Sequence, residues 1–330
     1  MTPSGGLTRR AFLGAAGSCA AHLTLTLAAG TTAARRLFAA LPGGPLAVRE
    51  PWGRLERVSE GAWALISTPL AGGDIAKRTF SNGGIVAGRD GVLVIEGLAS
   101  QEGAKWLSEK ARELTGRPPD WVILTHHHGD HSNGLAGYDA GGEPLYVSTA
   151  ATRAALQRKA AEQGASSPAV ARLQGERTRL VADEPLVIDL GGRFVRVVPR
   201  SGHTQSDLAV VLEDPRLVWC GDLVWNGLFP NYVDAVPSDL SRHVRALLSE
   251  PAERWIPGHG ALADRAAVGA YLALLDDVEA AARVAIEAGT PLDVAASAYR
   301  PPALLGEWVL FAPRYYEVAL RAWGRELGLP

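Results

Sequence analysis

Short apolar runs separated by turn residues recur along most of the chain. Runs of this length, rich in Val, Leu and Ile and bounded by Gly, Asp or Pro, are typical of buried β-strands. The turn sequence GRDG, for example, separates two of these runs. Strands are predicted at 62–67, 84–87, 92–95, 121–125, 145–147, 186–188, 194–198, 208–212, 217–219 and 255–256.

Segments with helical spacing of apolar residues lie between these strands. In 101–114, Leu107 and Ala111 fall on one side of a helix, and Ser100 is a suitable N-cap. Further helices are predicted at 149–163, 165–175, 240–249 and through most of 264–327. Strands mixed with helices throughout predict an α/β sandwich.

Three further boundaries follow from the pattern. The Gly/Pro-rich stretch 42–51 is interpreted as a linker. Residues 52–263 are expected to form the sandwich, and 264–330 a helical C-terminal extension. Whether that extension covers the sandwich as an outer layer or forms a small lobe of its own stays open.

Composition narrows the classes of function. The chain has 330 residues, 47% of them hydrophobic, which is enough for a large buried core. A formal net charge of -2 gives no general attraction to nucleic acid or to an anionic membrane. Two cysteines, Cys19 and Cys220, cannot build a disulfide framework.

The N-terminal residues 1–41 have the layout of an export signal. Arg9 and Arg10 precede an apolar stretch, and the segment TRRAFLG resembles the twin-arginine signal of bacteria. The resemblance implies the twin-arginine export machinery as a partner and cleavage between about residue 28 and residue 42. It also implies a periplasmic or otherwise exported enzyme without stable membrane insertion. The alternative is a chance arginine pair before an anchoring helix, but Thr24 and Thr26 make a poor membrane span.

The segment THHHGDH follows a predicted strand directly. Alternate residues near a strand end point the same way, so His126 and His128 can reach one metal ion while His127 points away. Asp130 and His131 lie where the chain turns and can face a second ion. The alternative is a polar loop without metal. In the metal interpretation, His127→Ala retains both metal and activity.

Three later residues strengthen the metal interpretation. His203, Asp222 and His259 each follow a predicted strand and have a neighbouring glycine. Imidazole nitrogen and carboxylate oxygen are the ligands that zinc uses in catalytic sites, and two-metal hydrolytic sites hold their ions about 3.5–4 Å apart. One such residue is an ordinary turn residue, but several in one chain indicate a metal centre.

The motifs THHHGDH, SGHT, CGD and PGHG occur in the order typical of the metallo-β-lactamase superfamily of metal-dependent hydrolases, which the chain resembles over about 52–260. The early strand GVLVIEG is similar too, with Glu96 where the family usually has Asp. The resemblance implies a four-layer αββα sandwich and a metallo-hydrolase. It also implies that Glu96 holds the loop or a ligand histidine, against the alternative of a surface turn residue.

The resemblance further implies two zinc ions per chain, with iron or manganese as other candidates. The ligands of the first metal would be His126, His128 and His203. Those of the second would be Asp130, His131 and His259. Asp222 would bridge both, and Asp130 would also orient the attacking hydroxide.

With Asp222 in the bridging position, the chain resembles the glyoxalase II, lactonase and exported quinoprotein-relay branches of the superfamily. The expected function is therefore a dinuclear zinc hydrolase that uses a metal-bridging hydroxide on a small ester, thioester, lactone or lactam. The alternatives are a mononuclear iron, persulfide-dioxygenase-like oxidoreductase and a non-catalytic metal-binding module. Trp225, Phe229 and Tyr232 either line the mouth of a pocket or pack as core.

Overall fold

The computed structural model describes residues 43–67, 79–164 and 167–328. The predicted export segment 1–41 lies outside these ranges, so export stays a prediction. Within the described ranges, no helix has both the length and the apolar character needed to cross a bilayer.

Two β-sheets form the centre of the molecule. The first follows chain order: β1 (Leu46–Glu50), β2 (Gly53–Ser59), β3 (Ala62–Ser67), β4 (Gly83–Ala87), β5 (Val92–Ile95), β6 (Trp121–Ile123), β7 (Leu145–Thr149) and β8 (Thr178–Val181). It is antiparallel from β1 to β5 and parallel from β5 to β8.

The second sheet has the order β13-β12-β11-β10-β9. Its strands are β9 (Leu186–Asp189), β10 (Phe194–Arg200), β11 (Asp207–Leu212), β12 (Leu217–Trp225) and β13 (Arg254–His259). Neighbours are antiparallel except β12 and β13, which run parallel. As a result, the carboxyl ends of β12 and β13 lie at the same edge of the sheet.

The helices that accompany the sheets are described next in chain order. They are α1 (Gln101–Thr115), α2 (Gly129–Ser132), α3 (Ala150–Gln163), α4 (Pro168–Arg172), α5 (Pro237–Ser249), α6 (Arg265–Glu287), α7 (Leu292–Ala298) and α8 (Tyr315–Glu326), with short 3₁₀ turns at Leu135–Gly141 and Ala303–Leu305. Ser100 caps α1 as predicted, accepting a hydrogen bond from the Gly103 N–H at 3.1 Å.

An apolar layer joins the inner faces of the two sheets. Ile95 and Ile123 of the first sheet belong to the same buried cluster as Val197 and Val210 of the second. Burying each such side chain stabilises the fold by about 1.5–3 kcal/mol. The Trp219 indole N–H crosses between the sheets and donates to the carbonyl of Gly83 at 3.0 Å, which fixes their relative position.

Helices cover both outer faces. Leu107 and Ala111 of α1 are buried against the first sheet. Helices α5, α6 and α8 are buried against the second, through residues such as Val244, Leu275 and Trp323. The predicted four-layer α/β sandwich is confirmed, and the C-terminal helices form part of its outer layer.

The hydrophobic pattern did not predict three of the strands. The predicted linker 42–51 is wrong in part, because β1 lies within it as a mostly exposed edge strand. In β2 the pattern is broken by charged residues that are nevertheless buried, since Arg54 Nε and Glu56 Oε1 pair at 2.6 Å. In β8 the central residues are exposed, so no apolar run marks the strand.

Candidate metal centre

The candidate residues meet at one edge of the sandwich because the strands that carry them end there. His126 follows β6 and begins the loop into the short helix α2, which contains Asp130 and His131. His203 follows β10 on the other sheet. Carboxyl ends of strands are the usual place for ligand sites in α/β proteins.

The two remaining residues differ from their expected setting. Asp222 was expected just after a strand ending at Trp219, but β12 continues to Trp225 and Asp222 lies within it. His259 is the last residue of β13 rather than a residue after it. The backbone still delivers both side chains to the same edge, because β13 runs parallel to β12.

The first group of side chains contains three histidines and a carboxylate. Ligand atoms of His126, His128, His203 and Asp222 all lie within 4.8 Å of one another. His203 Nε2 lies 2.9 Å from His128 Nδ1 and 3.2 Å from Asp222 Oδ2, and His126 Nε2 lies 3.8 Å from Asp222 Oδ2. The rings of His126 and His203 both stand nearly perpendicular to that of His128, so their nitrogens converge.

The second group contains Asp130, His131 and His259, again within 4.8 Å. Asp130 Oδ2 lies 3.2 Å from His259 Nε2 and 3.7 Å from His131 Nε2. Asp222 reaches this group with its other oxygen: Oδ1 lies 3.1 Å from His131 Nε2 and 3.5 Å from His259 Nε2. The Asp222 carboxylate therefore stands between the two groups and faces each with one oxygen.

The chemistry of these donors fits divalent metal ions. His126 Nε2, His131 Nε2 and Asp222 Oδ1 are buried, and none has a hydrogen-bond partner among the described residues. Unsatisfied buried polar atoms are costly, so such a cluster indicates a bound species. Neutral imidazoles with carboxylates are a zinc-type donor set. Seven converging side chains are enough for two ions that share Asp222.

Two glycines let the backbone approach this closely. Gly221 has a φ of +52°, and a Cβ there would meet Thr125 Oγ1 at 2.9 Å. A Cβ on Gly258 would lie 1.9 Å from Asp222 Oδ1. The glycines of CGD and PGHG are thus explained by the space that the Asp222 carboxylate and its neighbours need.

Glu96 supports the centre from behind. It is buried, so the alternative of a surface turn residue is wrong. Its Oε1 accepts a hydrogen bond from the Thr125 hydroxyl at 2.6 Å and lies 3.0 Å from His131 Nδ1, opposite the ring nitrogen that faces Asp222. Glu96 has a φ of +85°, and its carbonyl accepts a hydrogen bond from the Tyr138 hydroxyl. This strained backbone aims the longer side chain at both the loop and the histidine.

Asp234 is a residue that the sequence analysis missed. Its Oδ2 lies 2.8 Å from His128 Nε2, the ring nitrogen on the far side from His203, and 3.3 Å from His127 Nε2. Hydrogen bonds from these two histidines hold the pKa of Asp234 well below its usual range. A carboxylate on the outer nitrogen fixes the ring orientation of His128. Nothing local marks Asp234, which lies in a loop 106 residues from His128.

Asp207 was also missed, although it lies only four residues after His203. Its buried carboxylate accepts hydrogen bonds from the Thr204 N–H at 3.0 Å and the Thr204 hydroxyl at 2.9 Å. Burial raises the pKa of Asp207 to about 8. The contacts close the loop that presents His203 to the first group.

The aromatic residues after Asp222 are core residues, which settles the alternative that the sequence left open. Trp225, Phe229 and Tyr232 are all buried among the helices of the second outer layer. The Trp225 ring packs 4.5 Å from that of His259, between centroids. All three therefore pack as core and do not line a pocket mouth, and Trp225 also contacts the candidate ligand His259.

The two groups differ in charge. Burial lowers the pKa of His126, and it lowers that of His203 to about 3, so both imidazoles are neutral at pH 7. Burial acts in the same direction on His131 and His259, but the Asp222 carboxylate and its acidic neighbours outweigh it and raise both pKa values, that of His259 to about 9. Without metal, His131 and His259 of the second group therefore hold protons, whereas His126 and His203 of the first group do not.

This difference predicts that the two groups load metal at different pH. His203 has lost its proton above about pH 3, whereas His259, with a pKa of about 9, must release one at neutral pH before it can bind an ion. Each proton that must leave lowers the affinity by about tenfold per pH unit, and both His131 and His259 hold one. Affinity at the second group should therefore fall by between about tenfold and a hundredfold per pH unit below pH 9. Zinc titration against a competing chelator at several pH values measures this, and two equivalents with identical pH dependence would contradict it.

His127 is expected to be dispensable for metal binding. Its ring faces Asp234 and not Asp222, and it is partly exposed where His126 is fully buried. The His127→Ala protein should keep its full metal content and its turnover, whereas His126→Ala should lose metal. Elemental analysis of both folded variants tests this, and a metal-free His127→Ala protein would refute the alternating roles.

Comparison with known proteins agrees with this geometry. The model of the metallo-beta-lactamase superfamily matches residues 76–260. Hydroxyacylglutathione hydrolase of Acidiphilium cryptum is 28% identical over 151 residues, which is 46% of this chain and 54% of that protein. The protein of the same name from Parasynechococcus marenigrum is 26% identical over 169 residues, 49% of this chain and 58% of that protein. The chain thus spans little more than half the length of these relatives.

Solved structures show the same fold. A metallo-beta-lactamase from Pontibacter korlensis has a TM-score of 0.55 at 21% identity, covering 68% of this chain and 99% of that one. The inverting sec-alkylsulfatase Pisa1 from Pseudomonas sp. has a TM-score of 0.67 at 15% identity, covering 84% of this chain and 50% of that one. At these identities the likeness concerns the fold alone.

An αββα sandwich with two histidine and aspartate clusters at one edge defines the class of metallo-hydrolases. The family match extends over more than half of the chain and contains all seven clustered residues. The chain belongs to the metallo-beta-lactamase superfamily, as its motifs predicted.

Proposed function

We propose that the chain is a dinuclear, metal-dependent hydrolase that carries two zinc ions and cleaves a small ester, thioester, lactone or lactam. The observation that supports it is the position of Asp222. One of its oxygens lies 3.2 Å from a nitrogen of the first group, and the other lies 3.1 Å from a nitrogen of the second. A carboxylate that faces two ligand groups in this way suits a pair of ions rather than one.

The residues divide into two ligand sets with a shared member. His126, His128 and His203 would hold one ion, and Asp130, His131 and His259 the other. Asp222 would belong to both. When bound, two divalent ions lower the pKa of a water molecule and polarise the bond to be cleaved.

Asp130 acts on the nucleophile. In the metal-free protein, the cationic rings of His131 and His259 outweigh the effect of burial and lower the pKa of Asp130 to about 2. With metal bound, the positive charge of the ions would replace that of these protons, so the carboxylate would stay ionised at neutral pH. An ionised carboxylate only accepts hydrogen bonds, and it therefore orients the attacking water by its proton. Glu96 and Asp234 keep His131 and His128 in position through the ring nitrogens that face away from the centre.

The relatives support an acyl substrate. Two of them are named for the hydrolysis of hydroxyacylglutathione. Another, 24% identical over 210 residues, is a subunit of a 2,4-dinitroanisole O-demethylase from Nocardioides sp.. The acyl hydrolases favour thioesters and esters as the first substrates to test.

Elemental analysis combined with a hydrolysis panel tests the proposal. Two zinc ions per chain, with turnover of at least one ester, thioester, lactone or lactam, are the expected result. One iron per chain with oxygen consumption would instead support a persulfide-dioxygenase-like oxidoreductase. Bound metal without hydrolysis of any panel member would support a metal-binding module.

A further inference from the structure

A cleft of about 520 Å³ opens beside the first ligand group. His127 and Asp234 form one wall, and Gln205 lies on another. Asp234 is the residue that contacts His128 Nε2, and Gln205 follows His203 by two positions. The cleft therefore adjoins the metal centre through residues that contact or neighbour its ligands.

Two arginines from distant parts of the chain line this cleft. Arg158 comes from α3 and Arg325 from the last turn of α8. Within the described ranges, neither side chain makes an ion pair or a hydrogen bond. Arg321, which lies one turn before Arg325 on the same helix, shows the ordinary alternative, because its Nε pairs with Glu317 at 2.7 Å.

The cleft has an excess of positive charge, with two arginines against one carboxylate. Among its lining residues the one carboxylate is that of Asp234, which already accepts hydrogen bonds from two histidines. Lys159 lies close enough to lower the pKa of His127 by charge repulsion, in addition to the larger effect of burial. This local excess contrasts with the formal net charge of -2 of the whole chain.

We propose that Arg158 and Arg325 bind an oxyanion on the substrate, so that the enzyme selects acyl compounds with a negatively charged group away from the cleaved bond. This inference rests on the proposed hydrolase function and names its substrate class. Guanidinium groups present a planar fork of donors that matches carboxylate, sulfate and phosphate oxygens. An anion bound in the cleft would lie close to Asp234, which contacts His128 of the first group.

Binding and turnover are measured separately. N-phenylsuccinamic acid and its methyl ester, which differ by one charge, serve as binding probes in calorimetry with the zinc-loaded protein. Phenyl phosphate and phenyl sulfate determine which oxyanion binds best. p-Nitrophenyl hydrogen succinate and p-nitrophenyl methyl succinate serve as the matched substrates. The variants are Arg158→Ala, Arg325→Ala and the pair together, with Arg321→Ala as a control on the same helix.

The expected result is a preference for the anionic member of each pair. Each cleft variant should weaken binding of the anion and raise its KM by about 10- to 100-fold, the effect of one lost charged hydrogen bond. The neutral probe, the metal content and the Arg321→Ala protein should be unchanged. The unchanged neutral substrate excludes a general loss of structure.

Two outcomes keep this inference apart from the proposed function. If the anion binds the wild type and the double variant equally, it contacts only the metal centre and the inference is wrong, even when hydrolysis is found. If no substrate is hydrolysed but selective, arginine-dependent binding persists, the cleft assignment stands and the hydrolase function falls.

Discussion

Asp222→Asn should lower the metal content from two ions per chain to one or none. Hydrolysis should fall by more than about 100-fold. Loss of a residue that only hydrogen-bonds to a metal ligand lowers activity by about 100-fold at most, so a larger fall indicates loss of a ligand itself. The reason lies in the two oxygens of Asp222, at 3.1 Å from His131 Nε2 and 3.2 Å from His203 Nε2. Asparagine keeps one oxygen and replaces the other with a donor, so one group loses its ligand.

The same substitution should also change the protonation of the second group. The Asp222 carboxylate is the largest of the influences that raise the pKa of His131 and His259. Without its charge both histidines should lose their protons at lower pH in the metal-free protein. NMR titration of the imidazole signals reports this shift independently of activity.

Asp276→Asn is a matched control for Asp222→Asn. Asp276 is half exposed and pairs with Arg245 at 2.6 Å, and exposed pairs contribute little to stability. This variant should keep both ions and full turnover. An Asp222→Asn protein that also kept two ions and near wild-type turnover would show that Asp222 does not bridge the groups.

The candidate metal ligands could be predicted from the sequence because each lies next to a local signal. His126 follows a continuous apolar strand, and Asp222 and His259 lie next to glycines in CGD and PGHG. Strand periodicity also separates His127 from its neighbours, since alternate residues face opposite sides. The predicted ends of β12 and β13, which carry Asp222 and His259, were wrong by a few residues. These errors do not change the order of the candidate ligands along the chain.

Other residues of the site carry no such signal. Asp234, Arg158 and Arg325 come from a loop and from the exposed faces of two helices, where polar residues are ordinary. Their role depends on which segments the sandwich places side by side, and that is a property of tertiary packing. Strand β2 was hidden for a related reason, because the pairing of Arg54 with Glu56 satisfies charges that interrupt its apolar pattern.

Gly258→Ala should remove metal although it leaves every candidate ligand residue unsubstituted. The added Cβ would lie 1.9 Å from Asp222 Oδ1 and within 3 Å of the backbone at Gly221 and Asp222. The backbone at Gly221 and Asp222 can move only at a large cost in energy. The Asp222 carboxylate must therefore turn away from the second group. Crowding of this kind costs about 1–3 kcal/mol of stability in a packed interior.

Gly269→Ala is the matched control for this substitution. Gly269 lies in α6, and a Cβ there would meet nothing within 4 Å. Alanine at that position should stabilise the helix by up to about 1 kcal/mol. Thermal unfolding with and without zinc separates the effects, because a bound ion stabilises the folded state and raises Tm by an amount that grows with the logarithm of its affinity. The wild type and Gly269→Ala should show the zinc-induced rise, and Gly258→Ala should lose most of it. A Gly258→Ala protein that is destabilised yet keeps the full rise would mean that Asp222 tolerates displacement. Gly258 would then be required only for the conformation of the backbone.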